Sequence, residues 1–473
     1  MLLSYSASQN ICIKMNNKMT FLFAILLFVA TSIYAQTFQV SPHDNLQIIL
    51  DNSLNGDVIE LANGSYLGNF VINKAITLTS KTSNKAIINA QGKGNALLLK
   101  NSNITIENLN IINWGHNLTE QNAGIYSNKN DNLLIKNNIL HGDSFGMWLQ
   151  KADNIKVLQN TVVGNAKLRS ADRGNGVQLS SVSHAHIYQN ETYNVRDGLY
   201  FIASNNNIIE ENTLHNLRYG IHYMYSYDNT VLNNRAYEIR AGFALMSSKR
   251  LTITGNSSTN SEDYGFLLNF ITQSTFNGNT IKNVWTKAEH KVLGRYGKGL
   301  FVYNSGYNTI TNNHIENAEI GIHLTAGSEK TKVYGNSFVN NPIQVKYVVN
   351  REEEWSKNGQ GNYWSNYLGW DMNNDSIGDV TFEPNDGIDK LIWQYPEMKM
   401  IMDSPAIIIL RWVQRQFPIL KPPGVKDSFP LMLEPKAVLA PQIVSQRKNV
   451  STLTHSNQTN GLQTKASLVA EHH

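Results

Sequence analysis

One glycine-centred unit returns nine times along the chain, as AGIYS, FGMWL, NGVQL, DGLYF, YGIHY, AGFAL, YGFLL, KGLFV and IGIHL, with glycines at 124, 146, 176, 198, 220, 242, 265, 299 and 321. The gaps of 22, 30, 22, 22, 22, 23, 34 and 22 residues are too short for a strand–helix–strand crossover. They fit one turn of a solenoid in which every coil covers its neighbour. An asparagine stands eight residues before many of these glycines, at Asn138, Asn190, Asn212, Asn234 and Asn313, with a second four residues later at Asn194, Asn216 and Asn317. Asparagine tolerates left-handed backbone at bends. Stacked at equivalent corners, its amides can hydrogen-bond from coil to coil and satisfy polar groups that a buried turn would otherwise strand.

After each glycine, apolar residues alternate with others: Ile221 and Tyr223, Phe243 and Leu245, Phe266 and Leu268, Leu300 and Val302, Ile322 and Leu324. A second alternating stretch runs through Ile135, Val157, Ile187, Ile209, Val231, Ile253 and Ile310. Period two means strands with one face turned to a core. The expected fold is all-β, a right-handed parallel β-helix of about ten coils of ~22 residues, its hand taken from the general rule for parallel crossovers together with the family resemblance given below, since the period alone does not fix it.

With 41% hydrophobic and 16% charged residues and a formal charge of +4, the chain can bury a long core, and it carries no basic stripe interleaved with aromatics that would argue for nucleic acid. Lys14 and Lys18 precede an apolar run from Phe21 to Ile33 that closes in small residues before Gln36. This predicts a secretory signal over residues 1–35, with translation starting at Met15 or Met19 as an alternative. The run is shorter than the ~20 residues a membrane span needs, so the mature chain is expected not to be transmembrane. Its cleavage would remove Cys12, the only cysteine, leaving no disulfide and no thiolate ligand.

Residues 36–93 are expected to form an N-terminal cap and first coils, with a capping helix over Leu46 to Asn52; residues 94–350 form the repeats. Two coils carry insertions at one corner, holding Lys167, Arg169 and Arg173 in the first and Lys287, His290, Lys291 and Arg295 in the second. They are expected to project as two basic fingers for partner binding. Residues 351–434 read as an aromatic cap with Trp355, Tyr363, Trp364, Tyr367, Trp370, Trp393 and Tyr395, then a helix capped by Ser404 and Pro405 with its apolar face on Ile407, Leu410, Val413 and Phe417, then the arm LKPPGVKDSFPLM. The polar tail over residues 435–473 is expected to be disordered.

Residues two and four after each glycine should face outward and stack, bringing His222, Met224 and Met246 together. An imidazole with two thioethers suits a soft ion such as Cu(I), although Met and His also occur on such walls by chance. His184 and His186 form a weaker candidate pair on the strand before Asn190. Asp371, Asn373, Asp375 and Asp379 occupy the one, three, five and nine positions of a calcium loop. Ser376 stands where such loops want glycine, and an acidic turn without metal is the alternative.

The segments GNYWSNYLGWDMNNDSIGD, LIWQYPEMKM, SPAIIILRWVQRQFPILKPPGV and DSFPLM, with the repeats YGIHYMYSYDN, AGFALM and GIHLTAGSE, resemble the NosD family of periplasmic nitrous oxide reductase maturation proteins. The resemblance covers roughly residues 37–434. It implies a non-enzymatic periplasmic β-helix that works with an ABC transporter permease and ATPase and a copper chaperone lipoprotein to assemble the copper–sulfur centre of the reductase. On that reading the helix and arm, with Arg411, Trp412, Phe417, Pro422 and Pro423, dock on the transporter, while Lys167, Arg169, Lys291 and Arg295 meet the chaperone or the reductase. A carbohydrate-active β-helix enzyme and a metal-free scaffolding adaptor are the competing classes.

Overall fold

The computed structural model describes residues 35–292, 295–349, 351–401, 404–417 and 423–435. The expected signal, the tail beyond residue 435 and Pro422 lie outside them.

The chain winds as a right-handed parallel β-helix. Each full coil contributes three strands: one before the ladder asparagine, one after it, and one that begins at the repeat glycine. The first set stacks into a sheet of thirteen strands, and the other two merge around a corner into a bent sheet of twenty-three. Ten of the thirteen, from Thr105–Glu107 to Lys332–Tyr334, belong to the repeats; Thr37–Val40, Val58–Leu61 and Thr77–Ser80 add three more. The coil count is therefore higher than the glycine pattern gives, because the first coils lack the glycine. At ~4.8 Å between neighbouring strands, twelve intervals make a stack roughly 58 Å long.

The periodicity translates directly into burial. Ile135, Val157, Ile187, Ile209, Val231, Ile253 and Ile310 are fully buried on one wall, and Ile221, Tyr223, Phe243, Leu245 and Leu268 on another. Helix α1 (Leu46–Asn52), capped by the Asn45 side chain, lays Leu46 and Leu50 over the open first coil, which removes an exposed edge.

The repeat glycines answer to close approach rather than to a special φ. A Cβ at Gly220 would lie 2.5 Å from the carbonyl oxygen of Gly242, at Gly265 2.6 Å from that of Gly299, and at Gly299 2.7 Å from that of Gly321. Backbones of successive coils touch along this column, and any side chain would separate them.

A chain of amides runs beside it. Asn138, Asn160, Asn190, Asn212, Asn234, Asn256, Asn279, Asn313, Asn336 and Asn362 each sit in the next coil from the last, and the backbone N–H and side-chain Nδ2 of each donate to the Oδ1 of its successor at 2.8–3.1 Å. A ladder with one polarity needs an acceptor at its end, and that acceptor is Asp427: its Oδ2 receives Asn362 N at 2.8 Å, Asn362 Nδ2 at 3.2 Å and the indole of Trp364 at 2.8 Å. A second ladder of Ser204, Ser226 and Ser248, with Asn207 and Asn229, serves the corner after the glycine strand.

Beyond the rod, Trp364 stacks on Phe338 at 4.5 Å and Trp355 lies parallel to it at 6.2 Å, so the aromatic cap forms around Trp355, Trp364 and Tyr367. Trp370 and Tyr395 remain exposed. A helix not foreseen from the sequence, α2 (Gly387–Gln394), opens with a capping box made by Asp386 and Asp389. Helix α3 (Pro405–Gln416) starts at Ser404 and Pro405 as expected. The arm that follows is part of the rod end rather than an appendage: Val425 pairs with Glu353 and Leu431 bridges to Tyr363.

Asp427 is completely buried, and burial pushes its carboxyl up to about 6 against the amide and indole donors that lower it. Asp427→Ala strands two buried donors, the Asn362 N–H and the Trp364 indole, while Asn362 Nδ2 keeps the Trp355 carbonyl at 2.8 Å; it should cost about 2–6 kcal/mol, given the 1–3 kcal/mol of each unsatisfied buried group. The folded value lies above the ordinary ~3.9, so folding binds a proton between the two. The wild-type rod should gain stability as pH falls from 7 towards 5, and this gain should vanish in Asp427→Ala; urea melts at both pH values check both statements.

Candidate functional site

The outward wall of the glycine strands carries the chemistry. Its register pairs Tyr200 with His222 and Ile202 with Met224 in one step, then His222 with Ala244 and Met224 with Met246 in the next. Residues two apart on a strand leave the same face, so His222, Met224 and Met246 share one patch of two adjacent coils. The patch is not open as expected for an outward position. His222 is buried, while Met224 and Met246 are half-buried.

The cause is a set of groups that the sequence reading did not assign to this site. His222 Nδ1 lies 2.8 Å from Asp197 Oδ2, and Arg218 grips the same carboxylate through Nε at 2.8 Å and Nη2 at 2.6 Å. Tyr200 and Tyr219 stand edge-on to the imidazole at 4.6 and 5.1 Å. Burial alone would raise the Asp197 carboxyl, but hydrogen bonds from His222 and Arg218 bring it below its ordinary range. A charged Asp197 accepts from Nδ1–H, so in the neutral imidazole the lone pair is on Nε2. That Nε2 is buried without a partner among the described residues.

A buried acceptor nitrogen oriented by a carboxylate, beside two thioethers, is the donor chemistry of a soft-metal site. Among the described residues no group of three or more His, Cys, Asp or Glu could hold a metal, so any metal here relies on the sulfurs. The sequence signal for Asp197 and Arg218 was a charged pair recurring just before the glycines, at Arg196, Arg218 and Arg240 and at Asp197 and Asp263.

The other candidates resolve differently. His184 takes left-handed backbone (φ 51°) at the corner and bonds Asp153 at 2.7 Å, whereas His186 sits on the next strand and bonds Glu210 at 2.7 Å. They do not alternate along one strand, and separate carboxylates hold them. In the 371–379 loop, Asp371 accepts from the backbone of Asn374 (2.6 Å) and Ser376 (2.8 Å), Asp375 from Ile377, Asp379 from Met372, and Asn373 donates to Asp375. These bonds order the turn, in which Ser376 adopts the positive φ (68°) usually left to glycine.

The second basic finger lies against the wall. Lys291 reaches Glu319 at 3.1 Å, Arg295 reaches Asp263 at 2.8 Å, and His290 pairs with Glu262. These three charges are engaged within the chain, contrary to a free projecting finger. In the first insertion Arg169 is highly exposed and pairs with Asp172, Arg173 bonds the carbonyls of Ala166 and Leu168, and Lys167 is exposed. Between the insertions runs a groove of about 700 Å³ whose lining includes Arg173, Glu238, Arg240, Glu262, Trp285 and Lys287.

Among the described side chains of α3 only Ile407 is buried. Leu410 and Phe417, expected on the buried face, are about half exposed, and Ile408, Ile409 and Trp412 are more exposed still, because Arg411 turns the helix by pairing with Asp386 and with Asp389 at 2.9 Å. The carbonyl of Pro423 accepts from Lys390 Nζ at 2.6 Å.

Comparison with known proteins follows the same lines. The chain is 48% identical over 376 residues to the "Probable ABC transporter binding protein NosD" of Stutzerimonas stutzeri, covering 79% of this chain and 86% of that protein, and 50% identical over 380 residues to the protein of the same name from Pseudomonas aeruginosa, covering 80% and 88%. The chain belongs to the NosD family. The family profile, described as periplasmic copper-binding protein (NosD), matches residues 158–369, a span that contains Asp197, Arg218, His222, Met224 and Met246. Among solved structures, the catalytic domain of a GH87 alpha-1,3-glucanase aligns at a TM-score of 0.49 and 15% identity, covering 67% of this chain and 65% of its own. Among the described residues no helix is long and apolar enough to cross a membrane.

Proposed function

We propose that this NosD-family protein is a periplasmic, non-enzymatic copper-handling factor for the assembly of the copper–sulfur centre of nitrous oxide reductase, acting with an ABC transporter and a copper chaperone. The observation that carries the metal reading is the buried, partnerless Nε2 of His222, with Asp197 behind the ring and Met224 and Met246 in register beside it. Thioethers and a neutral imidazole bind Cu(I) without losing a proton, so the site can load at neutral pH. Arg218 keeps Asp197 ionised and the Nδ1–H tautomer in place. The acidic pairs that an enzyme reading would need are engaged: Asp263 by Arg240 and Arg295, Glu262 by His290.

The half-bare apolar surface of α3, with Ile408, Ile409, Trp412 and Phe417, is the candidate docking face for the transporter, a helix-in-groove mode. Because the arm from Val425 onward holds the rod end, the docking role rests on the helix alone. The two relatives carry the name of an ABC transporter binding protein, which supports this partner.

Purified mature protein should bind one Cu(I) with submicromolar affinity in competition with a chromogenic chelator. The triple variant His222→Ala, Met224→Ala, Met246→Ala should not bind it, and Asp197→Asn should lose about 10–100-fold, the usual effect of removing a carboxylate behind a ligating histidine; undiminished binding in the triple variant would remove the site. Ile408→Lys with Trp412→Ala should leave the melting temperature within ~2 °C, as exposed substitutions do, while abolishing co-purification with the membrane transporter. Retained co-purification would locate docking elsewhere.

A further inference from the structure

At the far end of the same wall three basic side chains gather with no ion-pair partner among the described residues. Lys298 lies on the strand Lys298–Tyr303, His323 on Ile320–Leu324 and Lys346 on Ile343–Tyr347, three successive coils. The register pairs Phe301 with His323 and His323 with Lys346. Lys298 Nζ sits 5.2 Å from the ring centre of Tyr264 and 5.4 Å from that of Phe301, and the Phe301 ring is 4.9 Å from the imidazole of His323. Lys346 Nζ lies 5.9 Å from the Trp393 ring of α2. The three groups thus share one aromatic-lined patch.

Lys298 and His323 are each 9% exposed. The hydrogen bond of the Lys298 ammonium is to the carbonyl of Tyr296 at 2.7 Å, and the Nδ1 of His323 is buried with no partner. Among the described residues neither Lys298 nor Lys346 has a carboxylate within ion-pair distance. The nearby acids are engaged: Asp263 with Arg240 and Arg295, Glu319 with Lys291 and with the backbone N–H groups of Gly297 and Thr286. Burial lowers the Lys298 ammonium to about 8 and His323 to about 3; Lys346 repels both and Lys298 repels His323, which places the groups within electrostatic reach of one another, while Asp263 and Glu319 offset part of the effect at Lys298. Desolvated ammonium groups facing a neutral imidazole are costly to keep empty, because buried charge is tolerated only when paired.

We propose that Lys298, His323 and Lys346 form a binding site for a small doubly charged inorganic oxyanion. Two ammonium groups match its charge, and the unpartnered imidazole edge supplies a third donor. Aromatic rings exclude water from the sides and strengthen each contact. The site is separate from the His222 patch, four coils away along the same column, and does not depend on the copper reading.

The test is isothermal titration of the mature full chain, in a buffer free of oxyanions and at constant ionic strength, with sodium sulfate, potassium phosphate and sodium acetate as probes. Sulfate or phosphate should give saturable one-to-one binding at millimolar or lower concentration. It should weaken at least tenfold in Lys298→Met and in Lys346→Met, each of which keeps the apolar stem, and stay unchanged in Lys282→Met, whose lysine pairs with Glu316 elsewhere on the rod. The melting temperature of Lys298→Met in oxyanion-free buffer should equal or exceed that of wild type, because a buried unpaired charge is gone. Absence of saturable binding to wild type, equal binding by either lysine variant, or acetate binding as tight as sulfate would overturn the proposal.

Discussion

The asparagine ladder is the interaction on which the rest of this structure depends. Each coil turns a buried corner, and a buried corner leaves backbone groups that water cannot reach. Ten asparagines solve this in one way, each passing two bonds to the amide of the next coil and the last passing them to Asp427. The arrangement fixes the register between coils, because a slip of one residue would break the ladder and expose the core together. It also gives the rod a direction, and a polar chain needs an end. Asp427, sixty-five residues beyond Asn362 in sequence, supplies that end and thereby makes the C-terminal arm part of the fold.

A fixed register turns a linear sequence into columns. On the glycine wall one column runs Tyr200, His222, Ala244, Leu267, Phe301, His323 and Lys346, and the next runs Ile202, Met224, Met246 and Asn269. Function can then be written into the wall by substituting single positions, leaving the inward core untouched. Both candidate sites follow this logic. Around His222 the pairing of Asp197 with Arg218 stabilises one tautomer and leaves a nitrogen for a ligand, and at the far end lysines occupy positions that elsewhere hold apolar rings. The carboxylates along the wall are matched to arginines or to the second insertion, which leaves the unmatched groups as the informative ones.

Most of the fold was legible because its causes are local and repeated. Glycine spacing, the asparagine eight residues earlier and period-two burial all report the same coil, and the capping helix at Leu46–Asn52 and the start of α3 at Ser404 follow from local capping chemistry. What was not legible depends on contacts between distant segments. The first coils were expected within residues 36–93, but their number was not countable because they pack without the repeat glycine. His184 looked like a strand residue until its positive φ put it on the corner. The basic finger at Lys291 and Arg295 read as free because its acidic partners, Glu319 and Asp263, lie on other coils. The apolar face of α3 was rotated by the pairing of Arg411 with the cap of α2, a helix with no strong signal of its own. The meeting of His222 with Met224 and Met246 could be deduced from register, but the burial of the imidazole could not, since it comes from Tyr200, Tyr219 and Asp197 closing around it.

The central claim is that this wall presents one imidazole nitrogen and two thioether sulfurs to a single copper ion. X-ray absorption at the copper K-edge of the Cu(I)-loaded mature protein addresses it most directly. The account predicts a first shell of one nitrogen and two sulfurs, the sulfurs at the longer distance, with the multiple-scattering pattern of a single imidazole. A first shell of nitrogen or oxygen alone, with no sulfur, would contradict it.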